Sequence, residues 1–429
     1  MIAAPAAPLE SGSLARLQCD RLRALLKEIL PRNRFYAAKF SQVGLAADDI
    51  RVPADLSRFP FTTKAELLAD QEAHPPYGTA LTYPLNRYNR LHQSSGTSAR
   101  PLRWLDTPEN WTWHLDCWQQ IYQIVGVRAE DRLFFPYSFG PFLAFWAAFE
   151  SAARRGNLTL AGGGMNSSAR LRFLMENEAT VVLCTPTYAL RLAEVAREDG
   201  INLADARVRM LIVAGEPGGS IPATRARIET AWNARVFDHC GMTEIGPLGI
   251  ECQENPGGLH LLETECLAEI IDSTTGSPVP AGELGELVLT NLGRWGSPLI
   301  RYRTGDLVRA DTKPCPCGRT FLRLDGGILG RSDTMIYVRG NNVYPSALEA
   351  IIRGFTEIAE FRLELDATGA LPVLRVEVEP ISAGAGPEVA RRIDRAIQQQ
   401  LLFRAEVSAV APGSLPRYEV KARRFSRKV

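Results

Sequence analysis

The stretch Ser94-Ser95-Gly96-Thr97-Ser98-Ala99-Arg100-Pro101 crowds hydroxyl side chains around a glycine, with a cation and a proline close behind. Glycine reaches backbone conformations that turn successive N–H groups toward one point, and such a nest binds anions. Serine and threonine hydroxyls add donors, and Arg100 adds a fixed positive charge. The stretch is equipped to hold a polyphosphate, although the same composition also makes an ordinary solvated turn. Lysine occurs only at Lys27, Lys39, Lys64, Lys313, Lys421 and Lys428, so each amine is a candidate for a task that arginine does not perform. The eight cysteines are scattered, except for Cys315 and Cys317.

Elements that would position these groups follow from apolar spacing. Leu14, Leu17, Leu22, Leu25, Leu26, Ile29 and Leu30 predict an amphipathic helix over residues 13–30. Phe59–Lys64 reads as a turn and N-cap before a helix from Ala65 to Asp70. Strand is expected on both sides of the Ser94–Pro101 loop, and a helix from Trp111 to Val125 whose aromatic residues belong to the core. From Arg132, short apolar runs alternate with helical patterns as far as Phe237, which predicts parallel βαβ units and a doubly wound sheet. Ligands of such sheets sit at the carboxyl ends of the strands. Gly215-Glu216-Pro217 and Gly241-Met242-Thr243-Glu244 occupy strand-to-loop positions of that kind, whereas Gly162-Gly163-Gly164 lacks dinucleotide spacing and reads as a turn.

Beyond about residue 260 the pattern becomes antiparallel β structure: Ala268–Asp272, Gly285–Leu292 and Leu299–Arg309. After Arg331 a compact α+β unit is expected. It has a helix Ser346–Gly354, a hairpin of Phe361–Leu365 with Leu374–Val378, a helix through Val389, Ile393, Ile397 and Leu401, and a strand Val407–Val410.

A chain of 429 residues with 45% hydrophobic and 23% charged residues is a multi-core globular protein. The net charge of +1 offers no field toward nucleic acid or a membrane surface. No long apolar segment is present, and Met1–Glu10 lacks the pattern of a signal peptide, so a cytoplasmic protein with buried thiols and no disulfides is expected. Gly-x-Ser-x-Gly and Gly-x-Gly-x-x-Gly are both absent, which argues against serine-hydrolase and dehydrogenase readings.

In order, the chain carries Ser94–Pro101, Gly241-Met242-Thr243-Glu244, Tyr302-Arg303-Thr304-Gly305-Asp306, Gly330-Arg331-Ser332-Asp333 and Leu415-Pro416-Arg417-Tyr418-Glu419-Val420-Lys421. This set resembles the adenylate-forming acyl-CoA synthetase superfamily, most closely its phenylacetate-CoA ligase branch. Phe59–Lys64, Cys315–Thr320 and Gly340–Pro345 also look like that branch. The resemblance implies a large N-terminal domain (1–331) and a small mobile α+β C-terminal domain (332–429). It also implies a two-step reaction. A carboxylate attacks the α-phosphate of ATP to give acyl-adenylate and pyrophosphate, and the thiol of coenzyme A then displaces AMP to form a thioester.

On that resemblance, Ser94, Ser95, Gly96, Thr97 and Arg100 hold the β- and γ-phosphates, with Ser98-Ala99-Arg100 replacing the family's usual Thr-Gly-Lys. Thr243 binds the α-phosphate and Glu244 the Mg²⁺, a hard cation suited to carboxylate and phosphate oxygens. Gly215, Glu216 and Pro217 pass along the adenine together with Cys240, Gly241 and Met242; Cys240 stands where an aromatic residue usually stacks. Asp306 accepts both ribose hydroxyls, and Arg331 assists on the ribose or the phosphate side. Asp333 is the hinge, and Gly340 lines the coenzyme A channel. Lys421 is the catalytic cation, an ammonium placed between the attacking carboxylate and the α-phosphate; alternatively it belongs to a solvated basic tail.

Cys252, His260, Cys315 and Cys317 make an ordinary Cys₃His zinc set, as in some members of the branch, or are four unrelated residues, since the Cys252–His260 spacing is not that of a standard finger. Tyr137, Phe139, Phe142, Ala214, Gly215 and Pro247 are candidates for an apolar slot taking a small aromatic acid of benzoate, aminobenzoate or phenylacetate type. The resemblance thus implies an ATP-dependent aryl-acid:CoA ligase. Its rivals are an adenylating enzyme that loads a carrier-protein phosphopantetheine, and a non-catalytic nucleotide-binding scaffold. The N-terminal helix offers a surface for a homodimer.

Overall fold

Strands with no polar alternation must be covered on both faces. Arg132–Phe135 (β1), Leu158–Ala161 (β2), Val181–Cys184 (β3), Met210–Ala214 (β4) and Arg235–Met242 (β5) lie in the order β2-β1-β3-β4-β5 with every neighbour parallel, and the inner strands β1, β3 and β4 are in that situation, whereas edge strand β2 is largely exposed. The computed structural model describes residues 11–44, 46–94, 101–332, 335–338, 341–366, 373–419 and 421–428. Leu133, Phe135, Val181, Leu183 and Ile212 enter one core with the helices Pro108–Val125 and Leu143–Arg155. Phe134, Val182, Cys184, Leu211 and Val213 enter a second core with the helices Ser167–Glu176, Pro186–Glu198 and Pro222–Trp232. The period-two alternation of the strands divides the two cores, as a doubly wound sheet requires. Each fully buried leucine, valine or phenylalanine there contributes roughly 1.5–3 kcal/mol.

The same sheet continues through antiparallel strands Gly246–Ile250 (β6), Gly258–Leu261 (β7) and Arg323–Asp325 (β8). Antiparallel structure therefore starts earlier than the expected residue 260. The cause is β6, whose Gly-Pro-Leu-Gly-Ile composition is poor in strand formers, yet every residue of it is buried. Gly249 lies opposite Cys240 in the ladder, and the Cys240 sulfur occupies the space where a Cβ at 249 would stand.

A separate four-stranded antiparallel sheet is formed by Cys266–Ile271, Leu284–Asn291, Tyr302–Arg309 and Gly330–Arg331. The helix Ser11–Ile29 buries Leu22, Leu25, Leu26 and Ile29 against Tyr36, Phe40 and Phe59, together with Leu267 and Ile300 of this β region. Its apolar stripe is covered by its own chain, so its amphipathic pattern is no argument for a second copy.

The residues from Ile336 onward have their own core. The hairpin Ile358–Asp366 with Val373–Pro380 pairs Phe361 with Val378 and Leu365 with Leu374, as the alternation predicts. The helices Pro345–Arg353 and Gly386–Leu401 pack on it, and Glu406–Ala409 adds a parallel edge. The opposite edge is Phe425–Lys428, parallel to Ile358–Asp366. By composition this last strand reads as a basic tail, but an edge strand tolerates charged side chains. No helix among the described residues is long and apolar enough to cross a membrane.

Two buried histidines give the fold a pH dependence. His239 lies on β5 with Nδ1 2.7 Å from the Gly249 carbonyl, and His114 is fully enclosed on the helix Pro108–Val125. Burial pushes both down to about 4. Both therefore stay neutral in the fold and take up a proton on unfolding, so stability is lost as pH falls from about 6.5 toward 4. Urea midpoints should decline across that window; a midpoint flat from pH 7 to 4.5 would contradict this assignment.

Candidate active site

The carboxyl ends of β1, β3, β4 and β5 share one edge of the large sheet, so the loops after them converge. Tyr137 and Phe139 follow β1, Gly215-Glu216-Pro217 follows β4 from Ala214, and Cys240, Gly241 and Met242 end β5. Thr243 and Glu244 form the turn into β6, where Pro247 lies.

Ser94 is the base of a hairpin tip. Arg90–Gln93 pairs antiparallel with Arg103–Asp106, and the Leu102 N–H donates to the Ser94 hydroxyl at 3.2 Å. This leaves the hydroxyl proton of Ser94 as a donor. Ser95, Gly96, Thr97 and Arg100 lie outside the described residues, as do Asp333 and Gly340.

Glu244 is buried, and the Lys64 amine stands 3.7 Å from its Oε1. Lys64 opens the helix Lys64–Ala73, fixed by a capping box between Thr63 and Glu66. Thr62 itself is bonded to the backbone of Arg301 and Arg303 on either side of Tyr302. No role for Lys64 was assigned from sequence. The signal was available in its rarity and in the Phe59–Lys64 motif, but its proximity to Glu244 is tertiary.

Asp306 and Arg331 face each other across neighbouring strands, with Nη1 2.9 Å from Oδ1. Arg331 also donates to the Thr304 carbonyl at 3.3 Å, so it steers the Asp306 carboxylate. Gly305 between them has φ +75°, a left-handed conformation, and a Cβ there would press on the Arg331 guanidinium. Cys240 turns its sulfur onto Gly249 across the ladder, so the position that carries a stacking aromatic elsewhere is occupied here by a packing thiol.

Glu216 joins the two units of the chain. Its Oε1 accepts the Thr187 N–H at 2.9 Å, at the start of the helix Pro186–Glu198, and its Oε2 accepts the Ala422 N–H at 2.7 Å. The residue beside Lys421 is thereby tied to the loop after β4. The seam continues through buried Arg424, which reaches the Thr187 hydroxyl at 3.1 Å and Glu360 at 2.6 and 3.0 Å. Glu419 adds a contact with Ser167 at 3.3 Å. Lys421 itself is exposed at this seam.

Cys252, His260, Cys315 and Cys317 converge, with their ligand atoms within 4.8 Å of one another. Cys252 and Cys315 sulfurs are 3.6 Å apart, and Cys317 Sγ is 3.4 Å from His260 Nε2. Tetrahedral zinc with its usual bond lengths gives edges of about 3.8 Å between sulfurs and about 3.5 Å from sulfur to nitrogen. His260 Nδ1 lies 3.3 Å from the Phe321 carbonyl, which leaves Nε2 as the metal-facing nitrogen. The set fits a closed structural metal site. None of the cysteines is in a disulfide.

Of the acid-pocket candidates, Tyr137 and Phe139 pack with ring centroids 5.6 Å apart and planes tilted by 60°, and the Phe139 centroid is 4.7 Å from that of Trp146, a residue not foreseen from sequence. Phe142 is exposed. A cleft of about 910 Å³ lined by Arg21, Tyr83, Trp113, Glu265 and Trp295 lies elsewhere and contains none of the site residues.

Comparison with known proteins gives this arrangement a family. Residues 93–293 match the AMP-binding enzyme model, and residues 340–428 match that of the AMP-binding enzyme C-terminal domain. The phenylacetate-coenzyme A ligase of Thermus thermophilus is 30% identical over 96% of this chain and 95% of its own length. That of Escherichia coli is 31% identical over 97% and 95%. Among solved structures, 2-hydroxyisobutyryl-CoA ligase in the postadenylation state with 2-HIB-AMP matches with TM-score 0.93 at 29% identity, covering 99% of this chain and 91% of that one. Against the same ligase with 2-HIB-AMP and CoA in the thioesterification state, the TM-score is 0.74 at 29% identity, with 98% and 91% covered. Identity that runs nearly end to end, on a fold matched just as completely, makes this chain a member of the adenylate-forming acyl-CoA synthetases, in their phenylacetate-CoA ligase-like branch, and an AMP-forming acid–CoA ligase.

Proposed function

We propose that the acid this ligase activates is a small aromatic carboxylate of the benzoate, aminobenzoate or phenylacetate type. The observation that carries the reading is the group Tyr137, Phe139 and Trp146 after β1, aromatic rings in mutual contact beside the loops that would take ATP. The phenylacetate-CoA ligases at 30–31% identity support it. The ligase matched at TM-score 0.93 is named for an aliphatic hydroxy acid, so 2-hydroxyisobutyrate is the competing substrate class.

In this reading the 94–100 loop holds the β- and γ-phosphates, Thr243 the α-phosphate, and Asp306 the ribose under the guidance of Arg331. The loop 215–217 and residues 240–242 border the adenine. Buried Glu244 would hold Mg²⁺, which supplies positive charge beside the phosphates when bound. Lys64 would neutralise the same region from the other side. The boundary between the domains is placed at 331/332, with Asp333 as hinge and Gly340 beside the coenzyme A channel. The cysteine–histidine cluster would hold structural zinc. The Glu216–Ala422 bond and the TM-score of 0.93 against 0.74 favour a pose like that of the postadenylation state, one that the chain would leave to admit coenzyme A.

The test is product analysis by mass spectrometry with ATP, Mg²⁺ and CoA against a panel of benzoic, aminobenzoic and phenylacetic acids plus 2-hydroxyisobutyrate. An aryl-CoA product is expected, and turnover of the aliphatic acid alone would sink the aromatic reading. Glu244→Gln should lower the rate on any accepted acid by roughly 10²-fold, the loss typical of one charge-stabilising contact. An unchanged rate in that variant would remove Glu244 from the metal site.

A further inference from the structure

The geometry points to Arg294 as a positioning residue for the triphosphate, a strut that fixes the phosphate-loop hairpin at a set distance from the Thr243–Glu244 turn. This rests on the reading above, in which those two segments hold ATP and Mg²⁺.

Arg294 is fully buried and uses all three guanidinium nitrogens. Nε and Nη2 make a fork on the Asp106 carboxylate at 2.7 and 2.8 Å. Asp106 ends the strand Arg103–Asp106, which leads out of the phosphate loop. Nη1 points the other way and donates to two successive carbonyls, Thr243 O at 2.7 Å and Glu244 O at 2.9 Å. In a trans peptide the N–H points opposite to the carbonyl. Drawing both carbonyls onto Arg294 therefore sends the N–H groups of Glu244 and Ile245 to the opposite side of the turn. Backbone donors so presented are the means by which turns receive phosphate oxygens.

The strut is rigid because its far end is enclosed. Asp106 also has His92 Nδ1 at 3.4 Å and His114 Nε2 at 3.5 Å, and the guanidinium lies 5.2 Å from the Trp104 ring centroid. Burial would raise the Asp106 carboxyl, but Arg294, with His114 second, outweighs it and holds the group well below the usual range. A planar five-donor fork can grip a carboxylate and two carbonyls at once, which a lysine amine cannot do.

The experiment is calorimetric titration of the full chain with two probes, ATP in the presence of Mg²⁺ and adenosine alone. Arg294→Lys keeps the buried charge but loses the fork. It should weaken ATP binding tenfold or more while adenosine stays within twofold of the unsubstituted chain. A double variant, Asp106→Leu with Arg294→Met, removes both buried charges together and leaves none unpaired. It should show the same split. ATP affinity unchanged in either variant, or adenosine binding lost alongside ATP in both, would overturn the strut and leave Arg294 a purely structural residue. Glu244→Gln in the same titration tests the underlying reading separately. If that variant binds ATP with Mg²⁺ as the unsubstituted chain does, the assignment of the turn fails whatever Arg294 does.

Discussion

Lys421→Ala should lower acid-dependent ATP–pyrophosphate exchange by about 10²–10³-fold, the loss expected when one preorganised cation or donor is removed from a developing charge. Transfer to CoA from supplied acyl-adenylate should change by no more than a few fold. The split follows from how the residue is mounted. Lys421 lies four residues before the edge strand Phe425–Lys428, which attaches it to the C-terminal sheet. Its neighbour Ala422 is bonded to Glu216 at 2.7 Å, which brings this segment to the loop after β4. In adenylation two negative groups, carboxylate and α-phosphate, must approach each other, and a mobile ammonium offsets that repulsion. In thioester formation the charge leaves with AMP, and on the proposed hinge motion the C-terminal unit would have turned away, so the amine would not be needed. Equal losses in both half-reactions would instead mark Lys421 as a structural residue, and no loss in exchange would return it to the basic tail.

Depletion of the Cys252–His260–Cys315–Cys317 site should produce the largest change in stability. Structural zinc sites bind with roughly 10–16 kcal/mol near neutral pH, and that free energy stabilises the folded arrangement of the ligands. Here the ligands come from the segment after β6, from β7 and from the loop before β8. The ion would therefore clamp the antiparallel half of the large sheet, next to the turn that carries Glu244. Cys315→Ser should abolish stoichiometric zinc in the purified protein and lower the melting temperature by more than 10 °C, on the order of several kcal/mol for a chain of this size. Exhaustive chelation of the unsubstituted chain should reproduce the shift, and added zinc should reverse it. A protein that contains no zinc after expression with excess metal, and melts identically with and without chelator, would show the cluster to be four buried residues and nothing more.

The elements legible in the sequence are those whose signal is local. The parallel strands announced themselves as apolar runs, and the C-terminal hairpin came out in register because Phe361, Leu363 and Leu365 alternate against Leu374, Val376 and Val378. Among the strands that escaped, two did so for opposite reasons. β6 is poor in strand formers partly because Cys240 needs the empty space above Gly249, a demand made by another strand, and because Gly246 takes a left-handed φ of +98° against His114. Phe425–Lys428 is too charged to read as a strand, and edge position alone makes it one. The amphipathic helix Ser11–Ile29 was legible as a helix, but its burial partners in the β region were not.

What the sequence by itself determined is the order of the chemical parts: a hydroxyl-rich loop, a Thr-Glu turn, a Gly-Asp corner and a late lysine in a lysine-poor chain. Residue type and chain order suffice for that, because each part carries its chemistry in a few adjacent residues. Only the tertiary structure decided which groups support them. Lys64 beside Glu244, Glu216 against Ala422, Arg331 on Asp306 and Arg294 between Asp106 and the Thr243–Glu244 turn all join segments that are distant in sequence. Such pairs have no local periodicity or spacing, since an ion pair or a backbone clamp depends on where two surfaces meet and not on what lies next along the chain.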